Sequence, residues 1–192
     1  MSPTPTLPTS PATRLAAVQQ EIDATLARMI QPRPAPTLVA VSKTHPPEAI
    51  AGLIALGITH FAENRVQEAE GKWPALKQAH PGLTLHLIGP LQSNKAREAV
   101  ALFDVIHSVD RPSLVTALGK AQAAAGKHPA CYLQVNIGDE EQKGGCALSD
   151  LPALLAQARE AGLNVVGLMC VPPAAVEPAP YFALLAEHAK RL

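Results

Sequence analysis

Six short apolar runs, each followed by a stretch of helical character, constrain the fold of this chain more than any other feature of its sequence. The runs cover residues 38–42, 60–64, 83–88, 105–109, 130–137 and 163–171. They are too short for helices and are bounded by Gly, Pro and polar residues, the pattern of strands buried on both faces. Between them lie segments with helix start and stop signals. Pro46-Pro47 opens a helix through Leu56 that Gly57 stops, and residues 65–80 form a helical region interrupted near Pro74. Ser93 or Asn94 caps a helix through Leu102, Pro112 opens one through Ala125, and Ser149 starts one that Gly162 ends. A leading helix over 14–30 repeats Leu15, Val18, Ile22, Leu26 and Met29 at helical spacing, and three prolines make 31–37 a linker. Residues 181–192 form a last amphipathic helix.

Strands alternating with helices imply a parallel sheet, either an open doubly wound sheet or a (β/α)8 barrel of TIM type. About six βα units are present, two short of a barrel. The 192 residues suffice for one domain with a sizeable core, expected over 14–192. Residues 1–13, rich in Pro, Ser and Thr, read as a disordered tail. Net charge is zero and no basic stripe carries interleaved aromatics, which argues against a nucleic-acid partner. No run of about 18 apolar residues is present to span a membrane. Cys131, Cys146 and Cys170 form neither a C-x-x-C pair nor a cluster with His, so no metal site is expected and a reducing compartment suits them.

In both architectures functional residues gather at the carboxyl ends of the strands. Those ends carry Lys43, Glu63-Asn64, Gly89 to Asn94, Ser108 to Asp110, Asn136 and Met169-Cys170. Lys43 is the sharpest feature. An amine closing a buried strand loses solvent, which favours the neutral form able to attack an aldehyde. A lysine reaching from a strand end to water is the plainer reading. His86 lies inside the third strand, where it either stacks on a planar ligand or is a satisfied core histidine. Asn64 and Asn136 either orient a ligand or cap the loops that follow. Lys143-Gly144-Gly145 reads as a mobile loop. No dinucleotide or nucleoside triphosphate motif, catalytic triad or paired carboxylates stand out.

Taken together these letters resemble a known family. Leu38-Val39-Ala40-Val41-Ser42-Lys43-Thr44 is followed by His60-Phe61-Ala62-Glu63-Asn64-Arg65-Val66-Gln67-Glu68 and by Leu85-His86-Leu87-Ile88-Gly89-Pro90-Leu91-Gln92-Ser93-Asn94-Lys95. His107 to Arg111, Gln134 to Ile137, Lys143 to Gly145 and Gly167 to Met169 complete the series. The chain resembles the YggS/PROSC family of pyridoxal phosphate homeostasis proteins, which share the alanine racemase N-terminal barrel.

The resemblance implies a cytoplasmic protein that carries pyridoxal 5′-phosphate as a Schiff base on Lys43 and buffers the cofactor, with apo-enzymes as its recipients. Asn64, His86, Ser108, Asn136 and Met169 are the further cofactor-binding candidates, by position. Catalysis is not expected, because racemisation needs a base on the ring face opposite the lysine and the only tyrosines are Tyr132 and Tyr181. The competing readings are a fold-type III amino-acid racemase-like enzyme and a phosphate-binding module without covalent chemistry. Family members continue with S-x-G-M-S-x-D and V-R-x-G segments, whose loops hold the cofactor phosphate. The resemblance therefore implies a C-terminally incomplete barrel, with open sheet edges prone to association and a weakly held cofactor.

Overall fold

A computed structural model of the chain describes residues 10–140 and 142–191. The chain order is α1 (Pro11–Ala27), β1 (Ala40–Val41), α2 (Pro47–Ala55), β2 (His60–Glu63), α3 (Val66–Glu70), α4 (Trp73–Ala79) and β3 (Thr84–Leu87). A 3-10 turn (Ser93–Lys95), α5 (Ala96–Leu102), β4 (Val105–Val109), α6 (Pro112–Ala125), β5 (Ala130–Val135), α7 (Leu151–Glu160), β6 (Asn164–Cys170) and α8 (Ala179–Arg191) follow. All six strands pair in parallel, in the order β1-β2-β3-β4-β5-β6. A doubly wound sheet reverses its strand order at a switch point, whereas a barrel adds each strand beside the last. The unbroken order is therefore that of a (β/α)8-type barrel, of which six units are described.

Helix α1 begins at Pro11, inside the segment expected as a disordered tail. Ser10 explains the early start, since its hydroxyl accepts the Thr13 N–H and Pro occupies the first turn. Residues 1–9 of that segment lie outside the described residues. The break in 65–80 falls at Gly71-Lys72, not at Pro74. Pro74 sits in the first turn of α4, where its missing N–H costs nothing.

The strands are not apolar on both faces. In β5, Cys131, Leu133 and Val135 are buried, while Tyr132 and Gln134 between them are half-buried. The helix-facing side joins Phe61, Leu85, Leu87, Ile106, Cys131 and Leu133 to Trp73, Phe103, Leu114 and Leu118 in one core. The opposite, concave side carries His60, His86, His107, Tyr132 and Gln134, a polar inner surface fixed by the two-residue period of the strands.

At the carboxyl ends, β2 and β3 approach each other closely. Ile88 N–H donates to the Glu63 carbonyl at 3.0 Å, and Gly89 then packs on the Asn64 backbone so tightly that a Cβ would overlap the Asn64 carbonyl. The glycine of the Gly89-Pro90 pair is thus a close-approach residue. Gly89→Ala is expected to cost about 3 kcal/mol, by overpacking against rigid backbone. That lowers the melting temperature by roughly 6–12 °C for a domain of this size. Thermal unfolding followed by circular dichroism checks this, and an unchanged midpoint would contradict the close approach.

Candidate functional site

The first strand delivers Lys43 to the rim. Ala40 pairs with Phe61 and Val41 with Ala62, so Val41 shares the concave side with Ala62, while Ser42, bonded to the buried Glu63, faces the helices; Lys43 follows in the turn. Lys43 is exposed, so the solvent loss expected of its amine is absent. The paired part of β1 is only two residues long, and the chain turns immediately after Ser42.

That turn is held from beneath. Ser42 N–H donates to the Ala62 carbonyl at 2.9 Å, and His45 N–H donates back to the Ser42 carbonyl at 3.1 Å. Thr44 adopts φ 64°, in the left-handed region that a β-branched residue rarely occupies. Such a conformation costs about 1–3 kcal/mol and persists only where its surroundings over-determine it. Here they do. The Lys72 ammonium donates to the Ser42 carbonyl at 3.0 Å and the His45 carbonyl at 3.2 Å, and Glu68 accepts the Thr44 N–H. Lys72 also pairs with Glu63 and Glu68, each at 2.9 Å. Glu63 is fully buried, and the same oxygen, Oε1, accepts from Ser42 Oγ at 2.7 Å and from Trp73 Nε1 at 3.0 Å. Burial alone would push the Lys72 ammonium down, but the two carboxylates outweigh it and hold it above its ordinary range. The same contact with Lys72, with the Thr44 N–H, holds Glu68 below the usual carboxylate range.

The concave side carries a chain of rings. His60 Nδ1 lies 3.0 Å from His86 Nε2, and His86 Nδ1 lies 2.9 Å from His107 Nε2. His107 stacks on Tyr132 with centroids 4.6 Å apart and planes 6° from parallel. Both ring nitrogens of His86 are thus occupied, one as donor and one as acceptor in the neutral ring. Burial, then the neighbouring His107 and His60, hold its pKa down at about 4. Burial lowers His107 as well. Only His86 was singled out in the sequence. His60, His107 and Tyr132 were missed, although each sits at the same parity in its own strand.

The other expected residues divide by what their side chains already do. Asn64 Oδ1 and Ser108 Oγ are buried without a hydrogen-bond partner. Three steps along β4 match two along β5 between the Ile106–Cys131 and Val109–Leu133 pairs. This bulge sets both His107 and Ser108 opposite Tyr132. Met169 pairs with Gln134 and shares its concave side. Asn136 is spent locally: its Nδ2 donates to the Glu140 carbonyl at 2.9 Å and its Oδ1 accepts the Glu140 N–H at 3.1 Å. Glu63, taken with Asn64 as part of the polar rim, points away from it into the helix layer.

Lys143-Gly144-Gly145, expected as a mobile loop, is tied down. Lys143 Nζ donates to the Pro172 carbonyl at 2.9 Å and pairs with Glu140 at 2.6 Å. Cys146 N–H donates to the Gln134 carbonyl and the Cys146 carbonyl accepts the Asn136 N–H, both at 2.9 Å. Gly145, at φ 125°, lies against the Asn136 backbone, where a side chain would not fit. Among the described residues no group of His, Cys, Asp or Glu is arranged to hold a metal. No described helix is long and apolar enough to cross a membrane.

The residues at the rim fit a planar, polar, aldehyde-bearing cofactor. They offer an exposed amine on a fixed turn, unspent polar atoms on Asn64 and Ser108, and a ring-lined floor.

The profile of the family described as alanine racemase, N-terminal domain, matches residues 14–191. A pyridoxal phosphate homeostasis protein of Pseudomonas aeruginosa is 43% identical over 151 residues, covering 78% of this chain and 64% of that protein. Its Escherichia coli namesake is 39% identical over 163 residues, covering 84% of this chain and 70% of that one. The chain thus spans about two thirds of the length of these relatives. The structure of PipY of Synechococcus elongatus with pyridoxal phosphate bound superposes with a TM-score of 0.76 at 39% identity, covering 94% of this chain and 80% of PipY. A histidine racemase of Leuconostoc mesenteroides, at 15% identity and a TM-score of 0.62, shares the fold alone.

The lowered pKa of His86 makes stability pH-dependent. A histidine whose folded pKa is depressed stabilises the fold at pH values above its unfolded pKa of 6.5. That stabilisation is lost as pH falls from 6.5 towards about 4, because the unfolded chain takes up the proton first. His86 alone accounts for a loss of about 2–3 kcal/mol across this window. His86→Gln, which does not titrate yet can still donate and accept, is expected to flatten the dependence by one proton. Urea unfolding at a series of pH values measures it, and an unchanged slope would contradict a neutral buried His86.

Proposed function

The chain belongs to the alanine racemase N-terminal domain family, together with the pyridoxal phosphate homeostasis proteins, and on that premise we propose that it binds pyridoxal 5′-phosphate covalently through Lys43 and serves cofactor homeostasis. The observation that carries this reading is the turn at the end of β1. Its backbone is fixed on both sides of Lys43, while the amine itself stands free at the rim. Bound there, the cofactor supplies an aldehyde that condenses with amines and a ring that accepts electrons.

The protein's own residues perform the rest. Lys43 is the nucleophile. Its exposure lets the amine exchange protons with solvent. Asn64 Oδ1 can accept from, and Ser108 Oγ can donate to or accept from, the polar substituents of the ring. The His60–His86–His107 chain, with Tyr132 stacked on it, forms the floor on which a planar ring rests. Met169, a soft apolar side chain on β6, closes the concave side next to Gln134.

Holding the cofactor rather than turning over amino acids is favoured by how these groups are already engaged. Both nitrogens of His86 are committed to its neighbours, and the Asn136 amide is committed to its own loop. Neither His86 nor Asn136 stands free as the opposite-face base that racemisation requires. The naming of the relatives as homeostasis proteins points the same way. A cytoplasmic setting and delivery to apo-enzymes belong to the same proposal.

Two results are expected. Protein incubated with pyridoxal phosphate and reduced with borohydride carries one adduct, on the peptide containing Lys43, and Lys43→Ala loses it while keeping its circular dichroism spectrum. An adduct that persists in the variant on Lys95 or Lys143 would move the site. The loaded protein releases no D-alanine from L-alanine and exchanges no α-proton for deuterium. Lys43-dependent racemisation would replace this reading with that of a racemase-like enzyme.

A further inference from the structure

The charged groups that hold the turn carrying Lys43 are not on the rim at all. They lie on the opposite side of β1 and β2, in the segment that joins β2 to α4. Lys72 occupies the break between α3 and α4 and is buried. Its ammonium touches four acceptors: the Ser42 carbonyl, the His45 carbonyl, Glu63 and Glu68. The first two are the carbonyls on either side of the Lys43-Thr44 dipeptide. Glu68, one helical turn before Lys72, closes the loop by accepting the Thr44 N–H. The four-residue turn 42–45 is therefore gripped at both ends by one cation and in its middle by one anion. These contacts cross more than 20 residues of sequence and would not form from local preference. Thr44 has no conformational reason to be left-handed, so the grip is what keeps it there.

We propose that Lys72 and Glu68 are positioning residues for covalent capture: they preset the backbone of the 42–45 turn so that the Lys43 amine is aimed over the concave side of the sheet. The proposal rests on the reading that Lys43 binds pyridoxal phosphate. Its content is separate, because it concerns the rate and geometry of capture and not the identity of the nucleophile. Neither residue touches the cofactor. Both act through the backbone that bears the amine. A turn released from the clamp samples other orientations, and the fraction of encounters in which the amine meets an aldehyde correctly falls. Binding of the ring and phosphate by other residues is left intact.

Glu68 is the better residue to vary, because it is partly exposed and the buried Lys72–Glu63 pair survives its loss. Glu68→Ala removes the acceptor of the Thr44 N–H. Glu68→Gln keeps an acceptor oxygen and loses only the charge. Two measurements on the full chain separate positioning from binding. The first is the rate at which pyridoxal phosphate becomes borohydride-reducible on Lys43, read by stopped absorbance and peptide mapping. The second is the affinity for pyridoxine 5′-phosphate, the alcohol that has the same ring and phosphate but cannot condense with an amine. Glu68→Ala is expected to slow capture by about tenfold while pyridoxine phosphate binding stays within about twofold, and Glu68→Gln to recover most of the rate. Lys72→Met is expected to slow capture at least as much. If that variant fails to fold, the Glu68 pair decides alone. Capture by Glu68→Ala at the unaltered rate overturns the clamp and leaves the Lys43 reading standing. Equal loss of capture and of pyridoxine phosphate binding overturns it too, by showing a general collapse of the site. A wild-type chain that binds pyridoxine phosphate but forms no adduct on Lys43 overturns the covalent reading and the clamp with it.

Discussion

The Glu63 carboxylate, wholly removed from water at the end of β2, is the interaction on which the rim of this protein depends. A buried carboxylate is costly unless it is paired and hydrogen-bonded. Ser42 Oγ, Trp73 Nε1 and the Lys72 ammonium all converge on Glu63 Oε1. These three donors come from the end of β1, the start of α4 and the break before it. One acid thus ties the first strand, the second strand and the helix layer together beneath the turn that carries Lys43. Removing one partner would strand the others, so the group behaves as a unit.

The two faces of the sheet divide the work. On the helix side, packing is apolar and continuous from Phe61 to Leu133, and its rigidity fixes the strand ends. On the concave side, the three histidines and Tyr132 form a ring-lined surface in which both nitrogens of His86 are hydrogen-bonded. The rim between the faces combines both, with Lys43 free and its backbone clamped. Lys143 adds a second tie, joining the loop after β5 to the loop after β6 through the Pro172 carbonyl.

Strand and helix order was legible in the sequence because each strand is short, apolar on its core side and bounded by turn residues, and because Gly57 and Gly162 stop helices in the left-handed conformation. The barrel order followed from the motif series and is confirmed by the neighbour-by-neighbour pairing. What could not be read locally was which side chains meet. Glu63 and Lys72 are nine residues apart with a helix between them, and nothing in either segment announces the pair. Of the two readings open for Asn136, orienting a ligand or capping the loop that follows, the structure shows the second, with both ends of the amide used by that loop. The exposure of Lys43 follows the plainer of its two readings, a lysine reaching from a strand end to water, since β1 pairs over only two residues and not over the whole apolar run. The ring chain, by contrast, was available: His60, His86 and His107 share one parity in three successive strands, and a barrel places such residues side by side.

The most direct measurement is an electron-density map of this chain crystallised with pyridoxal 5′-phosphate. Density continuous from Lys43 Nζ to the cofactor is expected, with the ring above the His86–His107 floor and its polar edge facing Asn64 or Ser108. The Thr44 N–H should remain on Glu68 in that structure. A cofactor joined to another lysine, or lying outside the concave side with Lys43 unmodified, would contradict the central claim.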